Sequence, residues 1–313
     1  MSKGNRGLLL SNMNIFLTIW ILAALSICLS VADAGNSTKL ILQPEDREEL
    51  RAFVEEARDF ALQNGRDKAL EVFNDSKGEF VRGDLYIFAY DFQGTTLAHP
   101  YRPDMVGRNN INLTDSNSVY LKKNMREVAR RGEGFVYYVW PNPIHNNRDE
   151  LKLSYVMRVD DGLWLAAGIY LTNETFNLSS EDRRDLVQFV EKARDFAMNS
   201  SKEVALHAFN DREGNFSSGN RYIFAFDFQG NLLANPVRPE LIGRNRLNQT
   251  DPNGVAFVQD MTDLARGDSG STYYIYPDPA ENMTDNLKMS YVTKIDDSWW
   301  LGSGIYWSQV IAT

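Results

Sequence analysis

The chain has 313 residues, 43% hydrophobic and 24% charged, the balance of an ordinary folded protein rather than a disordered or fibrous one. Its formal net charge of −9 would repel nucleic-acid phosphates, and no basic stripe offsets it, so nucleic acid is not an expected partner. The one cysteine, Cys28, falls in an N-terminal apolar segment, which leaves the rest of the chain without disulfides, thiolate metal sites or a cysteine nucleophile.

In chain order, Lys3 and Arg6 precede an apolar run from Ile15 to Val31, and Ala32-Asp33-Ala34 follows, the pattern of a secretory signal cut before Gly35. The run is also nearly long enough to span a bilayer. Residues 1–34 are therefore read as a signal peptide or an N-terminal membrane anchor. Either way the remainder is expected outside the cytoplasm, extracellular or at the cell surface. Asn-x-Ser/Thr triplets beginning at Asn36, Asn74, Asn112, Asn173 and Asn248, among others, fit a surface glycoprotein, although an Asn-rich chain also generates them by chance.

Beyond this segment the chain repeats itself. The stretch from Glu45 to Tyr170 returns from Glu181 to Tyr306 without a gap and with roughly half its positions identical, which marks a duplicated unit of domain size. Two domains follow, 45–172 and 180–308. Each opens on a helix: Leu50, Phe53, Val54, Ala57, Phe60 and Ala61 share one face behind the acidic start Glu45-Asp46. A short helix from Lys68 to Phe73 then meets a turn-rich break at Asn74–Gly78. Leu85 to Phe92 and Thr95 to Ala98 read as a hairpin about Gln93-Gly94. A loop from Pro100 to Asn117 leads to a helix from Val119 to Arg130. Strands from Phe135 to Trp140, Leu151 to Val159 and Trp164 to Tyr170 complete the copy. The expected fold class is α+β: twice over, a long helix and a five-stranded antiparallel sheet with flanking helices.

The words themselves carry a resemblance. Tyr86–Gly94 returns almost unchanged as Tyr222–Gly230, and Leu151–Val156 as Leu287–Val292. The Ala-His-Pro, Gly-Arg-Asn, Tyr-x-Trp-Pro-x-Pro, Lys-Leu-Ser-Tyr-Val and Gly-Ile-Tyr elements stand in one order. The sequence resembles the single Cache domain type 2 family, PAS-like extracellular sensor modules of receptors and sensor kinases, over essentially all of both copies. That resemblance implies a pocket on one sheet face for small molecules, often short carboxylates, and no catalysis.

The residues agree on the last point. His99, His145 and His207 align with Asn235, Glu281 and Glu71, so no histidine is shared, and none has metal-ligand spacing. No nucleophile elbow, P-loop or dinucleotide fingerprint occurs, and no cofactor is expected. Asp160-Asp161 and Asp296-Asp297 sit at expected hairpin turns. The binding candidates are Lys152 and Lys288, unusual inside strands, with Ser154 and Ser290 on the same face. Tyr138 and Trp140, and their counterparts Tyr274 and Tyr276, converge on them if the two strands pair. Ammonium, hydroxyls and an aromatic wall suit a short carboxylate. Alternatively, Lys152 points to solvent from an edge strand. His99, replaced by Asn235 in the second copy, is either a half-exposed loop residue or part of the pocket. Arg102, Arg108, Arg238 and Arg244 either clamp a carboxylate or hold the covering loop.

The expected function is extracellular binding of a small metabolite by two Cache-like domains. No output domain precedes Thr313, so a membrane receptor or sensor kinase is the expected partner. The rival reading is a surface-structural or adhesion protein using the same modules as scaffold.

Overall fold

In the computed structural model, which describes residues 40–172 and 177–307, the first helix is α1 (Pro44–Asn64). The signal or anchor segment, Cys28, Asn36 and Asn173 lie outside these residues. Pro44 occupies the first helical turn, where its missing N–H is not needed, and Glu45 and Asp46 face the positive end of the helix dipole. Gln43 and Asp46 close the start with reciprocal capping bonds. Leu50, Phe53, Val54, Ala57 and Ala61 make the buried stripe. Gly65, at φ 81°, ends the helix and admits α2 (Arg66–Phe73).

The N-terminal sheet follows as β1 (Phe88–Tyr90), β2 (Thr96–Ala98), α3 (Leu121–Arg131), β3 (Glu133–Asn142), β4 (Arg148–Arg158) and β5 (Trp164–Tyr170). It is antiparallel in the order β2-β1-β5-β4-β3. The C-terminal half repeats the order with α4 (Ser180–Met198), α5 (Lys202–Asn210), β6 (Phe224–Asp227), β7 (Leu232–Ala234), α6 (Phe257–Arg266), β8 (Ser269–Asp278), β9 (Thr284–Asp296) and β10 (Trp299–Tyr306). Its sheet runs β7-β6-β10-β9-β8. One expected strand is broken. Leu85-Tyr86 pairs with Val81-Arg82, and the Ile87 N–H donates to Phe80 O before the chain joins the sheet at Phe88.

Strand alternation divides the sheet cleanly. Leu151, Leu153 and Tyr155 join the core under α1 and α2. Phe88, Tyr90, Tyr138, Trp140 and Val156 face the other way, packed with Leu121 and Met125 of α3. The candidate pocket therefore lies on the α3 face.

Equivalent residues tie the halves together. The Leu42 N–H donates to Asn253 Oδ1 at 2.8 Å, and the Leu178 N–H to Asn117 Oδ1 at 2.7 Å. Each half thus receives the segment leading into the other half's first helix, the reciprocity of an isologous interface. Tyr273 Oη donates to Asp115 Oδ2 at 2.9 Å, and Asn253 Nδ2 donates to Tyr137 Oη at 2.7 Å. Arg131 of α3 pairs with Asp260 and Asp263 of α6.

Ser179 caps α4 by accepting the Asp182 N–H at 3.0 Å. Ser179→Ala should cost about 1 kcal/mol, read as a lower urea midpoint at unchanged slope. Among the described residues no helix is long and apolar enough to cross a membrane.

Candidate functional site

β4 lies between β3 and β5, so Lys152 cannot turn to solvent from an edge; it is fully buried. It sits directly opposite Tyr138, whose hydroxyl is 2.9 Å from Ser154 Oγ. Room for both side chains comes from β5. A Cβ on Gly168 would stand 2.1 Å from Ser154 Oγ and 2.9 Å from Lys152 Cε, so only glycine fits.

The Lys152 ammonium makes no hydrogen bond. It stands 4.0 Å from the Tyr86 ring centroid and 4.4 Å from that of Tyr170, in the range of cation–π attraction. Burial without a paired acid pulls its pKa down to about 7.

His99 is buried as well, at 2% exposure, rather than half-exposed on a loop. Its N–H donates to Asn74 Oδ1 at 3.1 Å, while Asn74 Nδ2 donates to the carbonyls of Leu70 and Leu97. Asn74 thus spends its side-chain amide within the fold. The His99 ring stacks on Phe88 at 5.9 Å and 18°, beside Tyr86 and Trp140. Its Nδ1 has no partner. Burial, reinforced by the Lys152 charge, lowers its pKa to about 3, so the ring is neutral.

Phe88, His99, Tyr138, Trp140 and Met125 line a half-open space of about 10 Å³ that has no acid in its wall, and Lys152 is not among its lining residues. Trp140 also lines an outer cleft of about 420 Å³, together with Arg102, Arg108 and Asp149. Arg102 is held on this rim by Asp104 at 2.8 Å and does not reach the inner space.

The C-terminal half keeps the frame and changes the details. Tyr274 Oη is 2.9 Å from Ser290 Oγ, and Gly304 clears the same space as Gly168. Lys288, however, donates to Tyr222 Oη at 3.2 Å and Tyr306 Oη at 3.4 Å. Asn235, in the place of His99, turns its Oδ1 to the N–H groups of Val237 and Arg238. Tyr276, in the place of Trp140, accepts a bond from Arg246 Nη1 at 3.3 Å.

The structure places Lys152, Ser154, Tyr138 and Trp140 on one sheet face, with His99, a separate candidate in the sequence, beside them, and Lys288, Ser290, Tyr274, Tyr276 and Asn235 on the equivalent face of the other sheet. Sequence reasoning missed the tyrosines around each ammonium, Tyr86 with Tyr170 and Tyr222 with Tyr306, and the clearing glycines Gly168 and Gly304. The signal was present, since both copies keep all of these. It also missed Lys122 of α3, fully buried with its ammonium 4.3 Å from the Tyr90 ring centroid and donating to Thr96 Oγ1, whose only trace in the sequence is its exchange for Val258. Among the described residues no cluster of three or more His, Cys, Asp or Glu is placed to hold a metal.

A family model described as a Cache domain (dCache_2) matches residues 66–311, most of the chain. The sensor histidine kinase MctS of Rhizobium johnstonii is 32% identical over 89 residues, covering 28% of this chain and 19% of MctS. This chain thus spans about a fifth of that relative's length. Among solved structures, a Cache chemosensory domain studied for carboxylic acid recognition is 25% identical, with a TM-score of 0.35, over 42% of this chain and 99% of its own. The ligand-binding domain of the Pseudomonas fluorescens chemoreceptor CtaA, bound to L-isoleucine, is 10% identical, with a TM-score of 0.26, over 86% of this chain and 89% of its own.

Proposed function

The chain belongs to the Cache domain family, and on that premise we propose that it is an extracellular sensing protein whose N-terminal half binds a small carboxylate between Lys152, His99 and Trp140. Two domains, 45–172 and 180–308, carry this role, the first as ligand binder. The carrying observation is the pair of unpartnered groups, Lys152 Nζ and His99 Nδ1, both buried against the same rings. Buried polar groups are almost always paired, and each orphan costs free energy that an incoming acceptor recovers. A carboxylate answers the ammonium charge with one oxygen and takes an N–H or hydroxyl from His99, Tyr138 or Ser154 with the other. The surrounding rings exclude water and strengthen both contacts.

As it stands the space holds about one water. Entry from the outer cleft requires Trp140 and α3 to give way. Both belong to elements that touch the other half: β3 packs on β8, Asn124 of α3 donates to Ser271 O of β8 at 3.0 Å, and Arg131 of α3 pairs with Asp260. Ligand entry would therefore be felt across the whole described chain. A membrane receptor or sensor kinase would carry the signal onward.

Binding of this kind is linked to protons. In the empty protein burial holds Lys152 at about 7, whereas an adjacent carboxylate favours the charged ammonium. Above pH 7 the empty amine is neutral and must gain a proton to bind. Affinity should then fall by about tenfold per pH unit, and flatten below 7. Calorimetric titration with acetate, propionate and butyrate, in buffers of differing ionisation enthalpy, reads both affinity and proton uptake. No binding of any of them, or binding indifferent to pH between 7 and 9, would overturn the proposal.

A further inference from the structure

One Asn-x-Thr triplet is written twice. Asn112-Leu113-Thr114 and Asn248-Gln249-Thr250 stand at equivalent positions of the two halves, and no other Asn-x-Ser/Thr triplet of the chain is paired in this way. Between Asn109 and Asn117 the second copy changes Asn110, Ile111, Leu113 and Ser116 and keeps the rest. Three of the kept residues shape the loop. Asn109 donates to Gln93 O at 2.8 Å and accepts the Ile111 N–H, Asp115 accepts the N–H groups of Asn117 and Val119, and Asn117 accepts that of Leu178. Asn245, Asp251 and Asn253 repeat these bonds. Asn112 and Thr114, like Asn248 and Thr250, are exposed, and no hydrogen bond or ion pair among the described residues holds their side chains. The fold accounts for the first three and not for the asparagine and threonine.

We propose that Asn112 and Asn248 are modification sites, each carrying an N-linked oligosaccharide, one on each half. This rests on the extracellular reading given above. The Leu113 N–H donates to Asn110 O at 2.9 Å, and the Gln249 N–H to Arg246 O at 2.9 Å, so each asparagine is the third residue of a tight surface turn. Asn110, Leu113 and Thr114 line the outer cleft and Asn112 does not, so a sugar on its amide leaves that cleft open. The donor is an oligosaccharide linked to a polyprenyl phosphate carrier. The amide nitrogen attacks the anomeric carbon, the C–N bond forms as the C–O bond to phosphate breaks, the carrier leaves as its phosphate, and the amide gives up one proton. The other described triplets lack this combination. Asn74 and Asn199 engage their amides with the carbonyls of Leu70 and Asp195, and the serine of the Asn177 triplet, Ser179, caps α4. Asn215 and Asn282 are exposed but unpaired, since Glu79 and Asn146, which begin no triplet, stand at the equivalent positions.

The test maps peptides by mass spectrometry from the full chain purified from its own cells. The peptides containing Asn112 and Asn248 should each carry one oligosaccharide, seen as added mass and as sugar fragment ions. Thr114→Val and Thr250→Val keep the side-chain shape at an exposed position and remove the hydroxyl. Each should lose one glycan and retain the other, whereas Thr114→Ser and Thr250→Ser should retain both. Bare asparagine in both peptides, sugar on only one of the two, or sugar that survives the valine substitutions overturns the proposal. A membrane-impermeant amine label applied to intact cells reads the location separately. Labelled protein with bare peptides leaves the extracellular reading standing and removes this one; unlabelled protein with bare peptides removes both.

Discussion

Lys152→Met is expected to abolish carboxylate binding and, in the same protein, to raise the stability of the empty chain. The two effects have one origin. The ammonium is buried without a hydrogen bond or an adjoining acid, so the folded chain bears its desolvation cost until a ligand arrives. Methionine keeps most of the side-chain volume and removes the charge. The rings of Tyr86 and Tyr170 return part of that cost by cation–π attraction, about 2 kcal/mol for a desolvated contact. Desolvation of an ion in a protein interior costs several kcal/mol, so the net gain on substitution should be about 1–3 kcal/mol at pH 6.

The pH dependence fixes the sign. Below about 7 the folded chain buries a charged lysine, and above it a neutral one, while the unfolded lysine keeps its proton to 10.5. Between those values the unfolded state binds more protons, so wild-type stability rises with pH and the advantage of Lys152→Met shrinks. Binding should weaken by about 3 kcal/mol or more, a factor of at least roughly one hundred, because the ligand's buried charge loses its partner. Urea unfolding at pH 6 and pH 9, with calorimetry on the same samples, reads all of this. A variant that is less stable than wild type at pH 6, or that binds as before, would contradict the account.

Much of this site was legible because strands alternate. Once β3 and β4 pair, Lys152, Ser154 and Tyr138 must share a face, and a lysine between Leu151 and Leu153 reads as buried as soon as the strand is central. What alternation cannot supply is depth. His99 follows a strand and precedes Pro100, so it reads as loop; only the Asn74 side chain and the stack on Phe88 draw it inward. Lys122 is harder still. It stands on a helix with Lys123, Arg126, Arg130 and Arg131, a run that reads as a solvated face, and only the packing of α3 on the sheet separates it from the others. The break at Ile87 was hidden for a similar reason. Leu85 to Phe92 is uniformly rich in strand formers, and the division comes from a bond to Phe80, a partner set by the fold.

Asp115→Ala is expected to be the most damaging single change at the contact between the halves, costing about 3–5 kcal/mol. One carboxylate there serves three elements. Its Oδ1 accepts the N–H groups of Asn117 and Val119 at 2.9 and 3.0 Å, shaping the turn before α3. Its Oδ2 accepts the Val139 N–H at 3.1 Å, next to Trp140, and the Tyr273 hydroxyl of β8 at 2.9 Å. Alanine would leave three backbone N–H donors and the Tyr273 O–H without their acceptor, each buried orphan costing about 1–3 kcal/mol before relaxation. Tyr273→Phe removes the last of these bonds together with the phenol's bond to the Asn117 side chain, and should cost about 1–2 kcal/mol. The difference between the two variants separates the turn from the tie across the halves, and a double-mutant cycle isolates the tie itself. Asp251 holds Asn253, Val255 and Ile275 in the same way, so Asp251→Ala should match. If the halves unfolded separately, either substitution would split the urea curve and leave the other half's step in place. Because Leu42 docks on Asn253 and Leu178 on Asn117, neither half keeps its helix entry when the other melts. The curve should instead move as one transition, and a second step in either variant would show that the two halves do not share their stability.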